Sequence, residues 1–208
     1  MSSWQAWLAP AGGAALVALV ELDVVQVGQF MLSRPLVLGP LLGLLFAAPL
    51  AGVALGLCLE LLSLDDVPVG DSLPLNAPVA TAAALLMAAG PRPLPLAAAL
   101  AAGLVAGWAH QKLESLLRWR RRSLCLAAEE RVRAGGAPAW GRLLGRALAE
   151  QAAMTFAVLL LCIFVAGPLL AALWFRSPRP LTSGLESGWR LAPWLGLGVA
   201  VYALRRRA

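Results

Sequence analysis

The sequence predicts an all-α membrane protein with interrupted helices, and three observations lead to that fold class. Hydrophobic residues make up 60% of the 208-residue chain and charged residues 13%, whereas a soluble domain carries about 25% charged residues. Residues 35–59 run for 25 positions without a charge, which is enough to cross a bilayer. Glycines and prolines divide that run, and bilayers tolerate broken helices where protein or water covers the freed backbone groups.

We therefore predict a polytopic membrane protein with interrupted or re-entrant helices, folded as a single membrane domain over residues 1–208. A helix rises about 1.5 Å per residue, so about 20 residues suffice for a crossing. Residues 151–175 form the cleanest span, and residues 35–59 are expected to form a hairpin of two half-spans. Counting broken segments, we expect six to eight membrane segments. The other apolar segments are residues 6–20, 72–91, 93–109 and 191–204.

Residues 112–150 are predicted to be a basic connector within this domain. Nine of the 17 basic residues lie between Lys112 and Arg146, and leucines alternate with them as in an interfacial amphipathic helix. A glycine- and proline-rich stretch at residues 134–138 predicts a break between two helices. Because basic segments stay in the cytoplasm, we expect the connector to lie there on anionic lipid headgroups, with residues 176–190 as an external loop. A dedicated docking site for a partner is the alternative interpretation of the connector.

No catalytic constellation is visible in the sequence. The single histidine, His110, ends an apolar segment and is interpreted as an interfacial residue, and no Ser/His/Asp set can be completed without it. The HExxH, Walker A and GxGxxG motifs are absent from the sequence, and the three cysteines lack the spacing of a metal site. We therefore expect no catalytic residues of the chain's own, no metal, no cofactor and no nucleic-acid partner.

Acidic and amide side chains near the broken segments are the better binding candidates. Their oxygens accept hydrogen bonds from sugar hydroxyls, and amides also donate. Glu60 follows 25 uncharged residues, and a carboxylate in that position usually has a function. Asp65 and Asp66 are interpreted as a solvated turn. The remaining candidates are Glu21, Asp23, Gln26, Gln29, Asp71 and Asn76.

Three stretches carry a resemblance to a known family: QFMLSRPLVLGPLLGLL at residues 29–45, PLAGVALGLCLELLSL at 49–64 and VPVGDSLPLNAPVATAAA at 67–84. Together they resemble the enzyme IIC membrane component of the mannose/fructose/sorbose family of the bacterial phosphotransferase system. The matching positions are Arg34-Pro35, Leu59-Glu60 and Gly70-Asp71. The chain departs from the family at Ala47-Ala48, where members often have Gly-Asp, in its shorter length and in its arginine-rich middle.

The resemblance implies a multi-pass sugar-translocating subunit of the bacterial inner membrane. It implies a second membrane subunit, IID, as partner, and soluble IIA and IIB proteins that carry the phosphate. It assigns sugar binding to Glu60 and Asp71, with Gln29 as a further candidate, and it is compatible with a homo-oligomer. Asn76 is added as a binding candidate because it flanks the broken segment. The glycine face at Gly52 and Gly56 is predicted to pack against IID.

Two alternatives to sugar translocation remain at this point. The first is a degenerate IIC-like protein that does not transport and instead tethers or regulates phosphotransferase components at the membrane. The second is an unrelated small carrier.

Overall fold

The chain forms eight α-helices in a computed structural model that describes residues 5–24, 27–28, 30–64 and 74–207. No β-strand occurs within those ranges, so the predicted all-α class is confirmed. A 3₁₀ turn over Glu21–Val24 continues the first helix, and a π turn over Cys162–Ala166 joins the sixth to the seventh. The helices are α1 (Gln5–Val20), α2 (Pro35–Leu45), α3 (Pro49–Leu62), α4 (Ala77–Ala88), α5 (Leu96–Arg133), α6 (Trp140–Leu161), α7 (Gly167–Trp174) and α8 (Arg179–Arg207).

Helix α4 is the centre of the fold. Ten of its 12 residues are buried, and it contacts α1, α2, α3, α5 and α6. Five of these ten buried residues are alanines, so the surrounding helices approach it closely. The helix begins at Asn76, whose side-chain Oδ1 accepts a hydrogen bond from the Val79 backbone N–H at 3.0 Å. That bond fixes the orientation of the Asn76 amide.

Helices α2 and α3 form the hairpin predicted for residues 35–59, and glycines make up their contact surface. A Cβ at Gly52 would collide with the Gly39 carbonyl oxygen, and a Cβ at Gly56 would collide with the Pro35 carbonyl oxygen. The prediction that Gly52 and Gly56 face a second subunit is therefore wrong, because these glycines face α2 of the same chain. The turn between the helices includes Ala47, whose φ of +54° lies in the left-handed region.

Helix α5 pairs first with α4 and then continues far beyond it. Gly103 and Gly107 face α4, where a Cβ at Gly107 would lie 2.8 Å from the Asn76 carbonyl oxygen. The helix has 38 residues and is therefore about 57 Å long, against about 30 Å for the hydrocarbon core of a bilayer. The basic region is thus the continuation of α5 and α6 rather than a pair of separate interfacial helices.

The predicted break within the basic region is confirmed, since α5 ends at Arg133 and α6 begins at Trp140. Hydrogen bonds and ion pairs join the two helices near Arg121, which contacts Ala147 and Glu150. We call residues 118–133 and 140–150 the basic arm. It contains eight arginines and three glutamates.

Among the described residues, one helical stretch, Trp140–Trp174, is long and apolar enough to cross a membrane, and α2, α3 and α4 are shorter apolar helices. This stretch contains most of the span predicted at residues 151–175. Its π turn directly precedes Gly167-Pro168, and proline has no N–H to continue the helical hydrogen bonds. The prediction that residues 176–190 form a loop is wrong, because α8 begins at Arg179 and keeps these polar residues on a largely exposed helical surface.

Candidate functional site

Five polar side chains from four parts of the chain meet inside the helix bundle, and we call them the buried polar cluster. Glu21 directly follows α1, Asn76 begins α4, His110 lies on α5, and Gln151 and Thr155 lie one turn apart on α6. Asn76 is partly buried, and the other four side chains are buried, with His110 and Thr155 fully inaccessible. An acidic group in such an environment requires several hydrogen-bond donors.

Glu21 has those donors. Its Oε1 accepts hydrogen bonds from Asn76 Nδ2 at 2.9 Å and from Gln151 Nε2 at 3.2 Å, and its Oε2 accepts one from Thr155 Oγ1 at 2.6 Å. All three donors are uncharged, so hydrogen bonding rather than an ion pair supports this carboxylate. Three donors directed at the two oxygens match an ionised carboxylate, which accepts but does not donate.

The Asn76 orientation also determines where the proton of His110 lies. Because Asn76 Oδ1 accepts the Val79 N–H, the amide N–H₂ group must face both Glu21 and the ring atom Nδ1 of His110, 3.0 Å away. Nδ1 therefore accepts, and the neutral imidazole carries its proton on Nε2. Nε2 then donates to Thr155 Oγ1 at 2.9 Å, which leaves the threonine hydroxyl proton for Glu21. Glu21, Asn76, His110 and Thr155 thus form a closed ring of hydrogen bonds, and the donor and acceptor of each bond are assigned.

The same region contains three side chains that could bind a metal ion. Ligand atoms of Glu21, His110 and Glu114 lie within 4.8 Å of one another. However, both ring nitrogens of His110 already have hydrogen-bond partners, and Glu114 pairs with Arg118 at 2.7 Å. A metal ion would have to replace these bonds, so the geometry fits a hydrogen-bonded ring better than a metal site.

A second polar group lies at the open end of the α2–α3 hairpin. Arg34 directly precedes α2 and Glu60 lies in the last turn of α3, and their side chains form an ion pair of 2.8 Å. Glu60 also accepts a hydrogen bond from the Leu36 backbone N–H at 3.3 Å. This N–H is one of the backbone donors that the start of a helix leaves unpaired. The Arg34 side chain is 52% exposed and that of Glu60 11% exposed. The pair therefore has one accessible face.

The segment before Arg34 is held in place by Asp23. The Asp23 carboxylate accepts hydrogen bonds from the backbone N–H groups of Phe30 at 2.6 Å and Leu32 at 2.8 Å. Met31 between them has a φ of +63°, a left-handed conformation that is costly for a residue with a side chain. The two charge-assisted hydrogen bonds offset that cost and direct the chain into α2.

The predicted site residues fall into separate groups. Glu60 lies in the ion pair with Arg34, and Asn76 lies in the buried polar cluster. Gln29 and Asp71 lie outside the described residues, as do Gln26, Asp65 and Asp66. His110, interpreted as interfacial, is fully buried. Glu21 was among the sequence candidates.

Sequence reasoning missed Gln151 and Thr155, although a signal was present. They are four residues apart at the start of the cleanest apolar span, so they share one helix face.

Matches to known proteins extend over nearly the whole chain. Residues 11–207 match the family described as the PTS system sorbose-specific IIC component. No curated protein matches the chain by sequence.

Two solved structures share the fold. A structure described as that of a membrane protein has a TM-score of 0.75 at 17% identity, and the match covers 98% of this chain and 81% of that one. The cryo-EM structure of the mannose transporter ManYZ with microcin E492 has a TM-score of 0.64 at 19% identity, over 99% of this chain and 81% of that one. The predicted class of a polytopic membrane protein with interrupted helices is confirmed.

Proposed function

This chain belongs to the family of sorbose-specific IIC components of the phosphotransferase system, and from that membership we propose that it is the sugar-translocating subunit of a mannose/fructose/sorbose-type permease. Membership makes it a membrane component of that system. We assign it to the bacterial inner membrane, together with a second membrane subunit, IID, and the soluble IIA and IIB phosphocarriers. The similarly folded mannose transporter supports a hexose as the substrate class.

The observation that carries the binding proposal is the half-exposed ion pair between Arg34 and Glu60. A sugar hydroxyl both donates and accepts hydrogen bonds, so it can donate to Glu60 and accept from Arg34 at the same time. Each carboxylate oxygen of Glu60 accepts one hydrogen bond from the residues that the structure describes, and each oxygen has a second lone pair. The glycine contacts between α2 and α3 hold the two residues in register.

The other site residues belong to this proposal with different roles. Asp71 lies in the segment that follows α3, and Gln29 lies five residues before Arg34 in the sequence, so we assign both to the rim of the same site. Asn76 directs its amide N–H₂ group to Glu21 and His110. We therefore assign it to positioning the start of α4 rather than to direct sugar contact.

Transport itself distinguishes this proposal from the tethering alternative. Membrane vesicles containing this chain and a IID subunit of the family, supplied with IIA and IIB, are expected to take up labelled mannose, fructose or sorbose. Vesicles containing IID alone are the control. If IID co-purifies with the chain but none of the three sugars is taken up, the chain is a tether and the translocation proposal is wrong.

The cytoplasmic position of the basic arm can be measured with a native residue. Cys125 lies on the arm and is exposed, whereas Cys58 and Cys162 are buried. A membrane-impermeant maleimide is therefore expected to label the protein in opened vesicles but not in intact cells, and Cys125→Ser should remove that label. Strong labelling in intact cells would reverse the assigned orientation.

A further inference from the structure

A small cavity of about 30 Å³, open to solvent, lies between α5 and α6 in the basic arm. The cavity lies apart from the Arg34–Glu60 pair and borders the buried polar cluster, since Arg121 in its lining donates from Nη1 to Gln151 Oε1 at 3.4 Å. The residues that line it are Arg120, Arg121, Ser123, Leu124, Arg146 and Glu150.

Three guanidinium groups surround one carboxylate at this cavity. Glu150 Oε1 lies 2.8 Å from Arg146 Nε and 3.9 Å from Arg120 Nη2, and its Oε2 lies 3.6 Å from Arg121 Nε. One negative charge thus faces three positive charges, so the cavity has an excess of positive charge. A second anion is electrostatically favoured there.

The three arginines also differ in how firmly they are held. Arg121 is 16% exposed, and its Nη2 donates to the Ala147 carbonyl oxygen at 2.7 Å, which fixes the group between the helices. Its Nε is buried and faces Glu150 Oε2 at 3.6 Å, an ion-pair contact too long for a hydrogen bond. Arg120 and Arg146 are 67% and 55% exposed. The cavity therefore has one guanidinium group fixed at its base and two accessible guanidinium groups beside it.

We propose that this cavity binds a phosphate group, supplied either by an anionic lipid headgroup or by free phosphate. Guanidinium groups match phosphate oxygens with paired N–H donors, and such charge-assisted hydrogen bonds are stronger than neutral ones. Glu150 occupies part of the site as an internal anion and competes with the ligand. The apolar stretch of α6 begins directly after Glu150, which is where headgroup phosphates lie on a spanning helix. The proposal goes beyond sugar translocation and does not depend on it.

The test uses the full chain in nanodiscs and measures how much a ligand raises the melting temperature. One arm of the experiment compares phosphatidylcholine with phosphatidylcholine containing phosphatidylglycerol, and the other adds inorganic phosphate against chloride at equal ionic strength. The cluster variant Arg120→Gln/Arg146→Gln is compared with Arg131→Gln/Arg133→Gln at the tip of the same arm. The two variants lose the same charge, so unspecific attraction affects them equally.

Native protein and the tip variant are expected to be stabilised by at least one ligand, and the cluster variant is expected to bind that ligand roughly tenfold to a hundredfold more weakly. A response to phosphatidylglycerol alone identifies a headgroup site, and a response to inorganic phosphate identifies a free-phosphate site. Glu150→Gln should bind more tightly than native protein, because it removes the competing anion while keeping the side-chain shape. Equal responses of the cluster and tip variants, or no response of native protein to either ligand, would overturn the proposal.

Discussion

The α2–α3 hairpin and the buried polar cluster hold helices together in opposite ways. In the hairpin, Gly39 and Gly52 bring two backbones into direct contact, and the contact needs no side chains. In the cluster, side-chain hydrogen bonds of 2.6–3.2 Å from α4 and α6 converge on Glu21 at the end of α1, and His110 of α5 bonds to two of the same donor residues. The hairpin packs closely because its glycines have no side chains, whereas the cluster depends on a particular set of hydrogen-bond donors and acceptors.

The two regions therefore differ in their capacity to bind a ligand. The ring of hydrogen bonds through His110 and Thr155 is closed, so adding a ligand would break an existing bond. The hairpin carries its only acid, Glu60, at its open end beside a half-exposed arginine. The comparison indicates that the cluster fixes the bundle, and it supports the proposal that substrate binds at the hairpin end.

The largest effect is expected from filling the hairpin contact. Gly52→Leu would place side-chain atoms against the Gly39 backbone, which cannot move aside as a side chain can. Overpacking costs about 1–3 kcal/mol, and more where the surroundings are rigid, so we expect little monodisperse protein after purification.

Gly12→Leu is the control for that substitution, because a Cβ at Gly12 meets nothing within 4 Å. It should purify like native protein. Equal yields of the two variants would show that the α2–α3 contact is not as close as described.

A smaller loss is expected when one hydrogen-bonding group of the cluster is removed. Thr155→Val keeps the shape but removes one donor to Glu21 and the acceptor for His110 Nε2. A buried group left without a partner costs about 1–3 kcal/mol, so the melting temperature of the purified protein should fall clearly.

Thr81→Val is the matched control for the cluster variant. Thr81 is equally buried, but among the described residues its hydroxyl bonds to the Ala77 carbonyl of its own helix alone, a bond with little influence on stability. Because the chain has one histidine, ¹⁵N spectra of histidine-labelled protein also report the ring directly. A proton on Nδ1 rather than Nε2 of His110 would contradict the assigned hydrogen bonds.

The smallest effect concerns the turn of the hairpin and is stabilising. Ala47 has a φ of +54°, which costs a residue with a Cβ about 1–2 kcal/mol relative to glycine. Ala47→Gly should therefore raise the stability by about 1 kcal/mol, measured as a higher melting temperature. Ala48→Gly should lower it, since Ala48 has a φ of −127° and gains nothing from glycine in the folded state. A decrease for Ala47→Gly would contradict the described turn.

The two regions also differ in how far the sequence predicts them. The hairpin is local: Gly39, Gly52 and the break at Pro49 lie within 14 residues, so the uncharged run and its helix breakers were enough to predict two half-spans. Which surface the glycines contact could not be predicted, because small residues permit close packing against any helix.

The cluster is non-local, and its sequence signal is weak. Glu21 and Thr155 are 134 residues apart, and their pairing depends on how four helices pack rather than on any spacing. The single histidine gave no sign of burial, because the residues after it are polar and basic. Likewise, the polar start of α8 predicts a loop rather than a helix, because low hydropathy does not distinguish a loop from a helix with an exposed face.

The central claim is that sugar binds at the Arg34–Glu60 end of the hairpin, and sugar affinity after a change at Glu60 tests it most directly. Glu60→Gln keeps the shape and an acceptor oxygen while removing the charge. Losing a hydrogen bond to a charged group costs about 1.5–3 kcal/mol, which corresponds to roughly tenfold to hundredfold weaker binding.

Isothermal titration of the complex with IID should therefore give that loss for Glu60→Gln. Glu186→Gln, the same change at an exposed position on α8, should bind sugar like the native complex. Melting temperatures of both variants show whether each complex remains folded. If the folded Glu60→Gln complex binds sugar as tightly as the native one, the hairpin end is not the binding site.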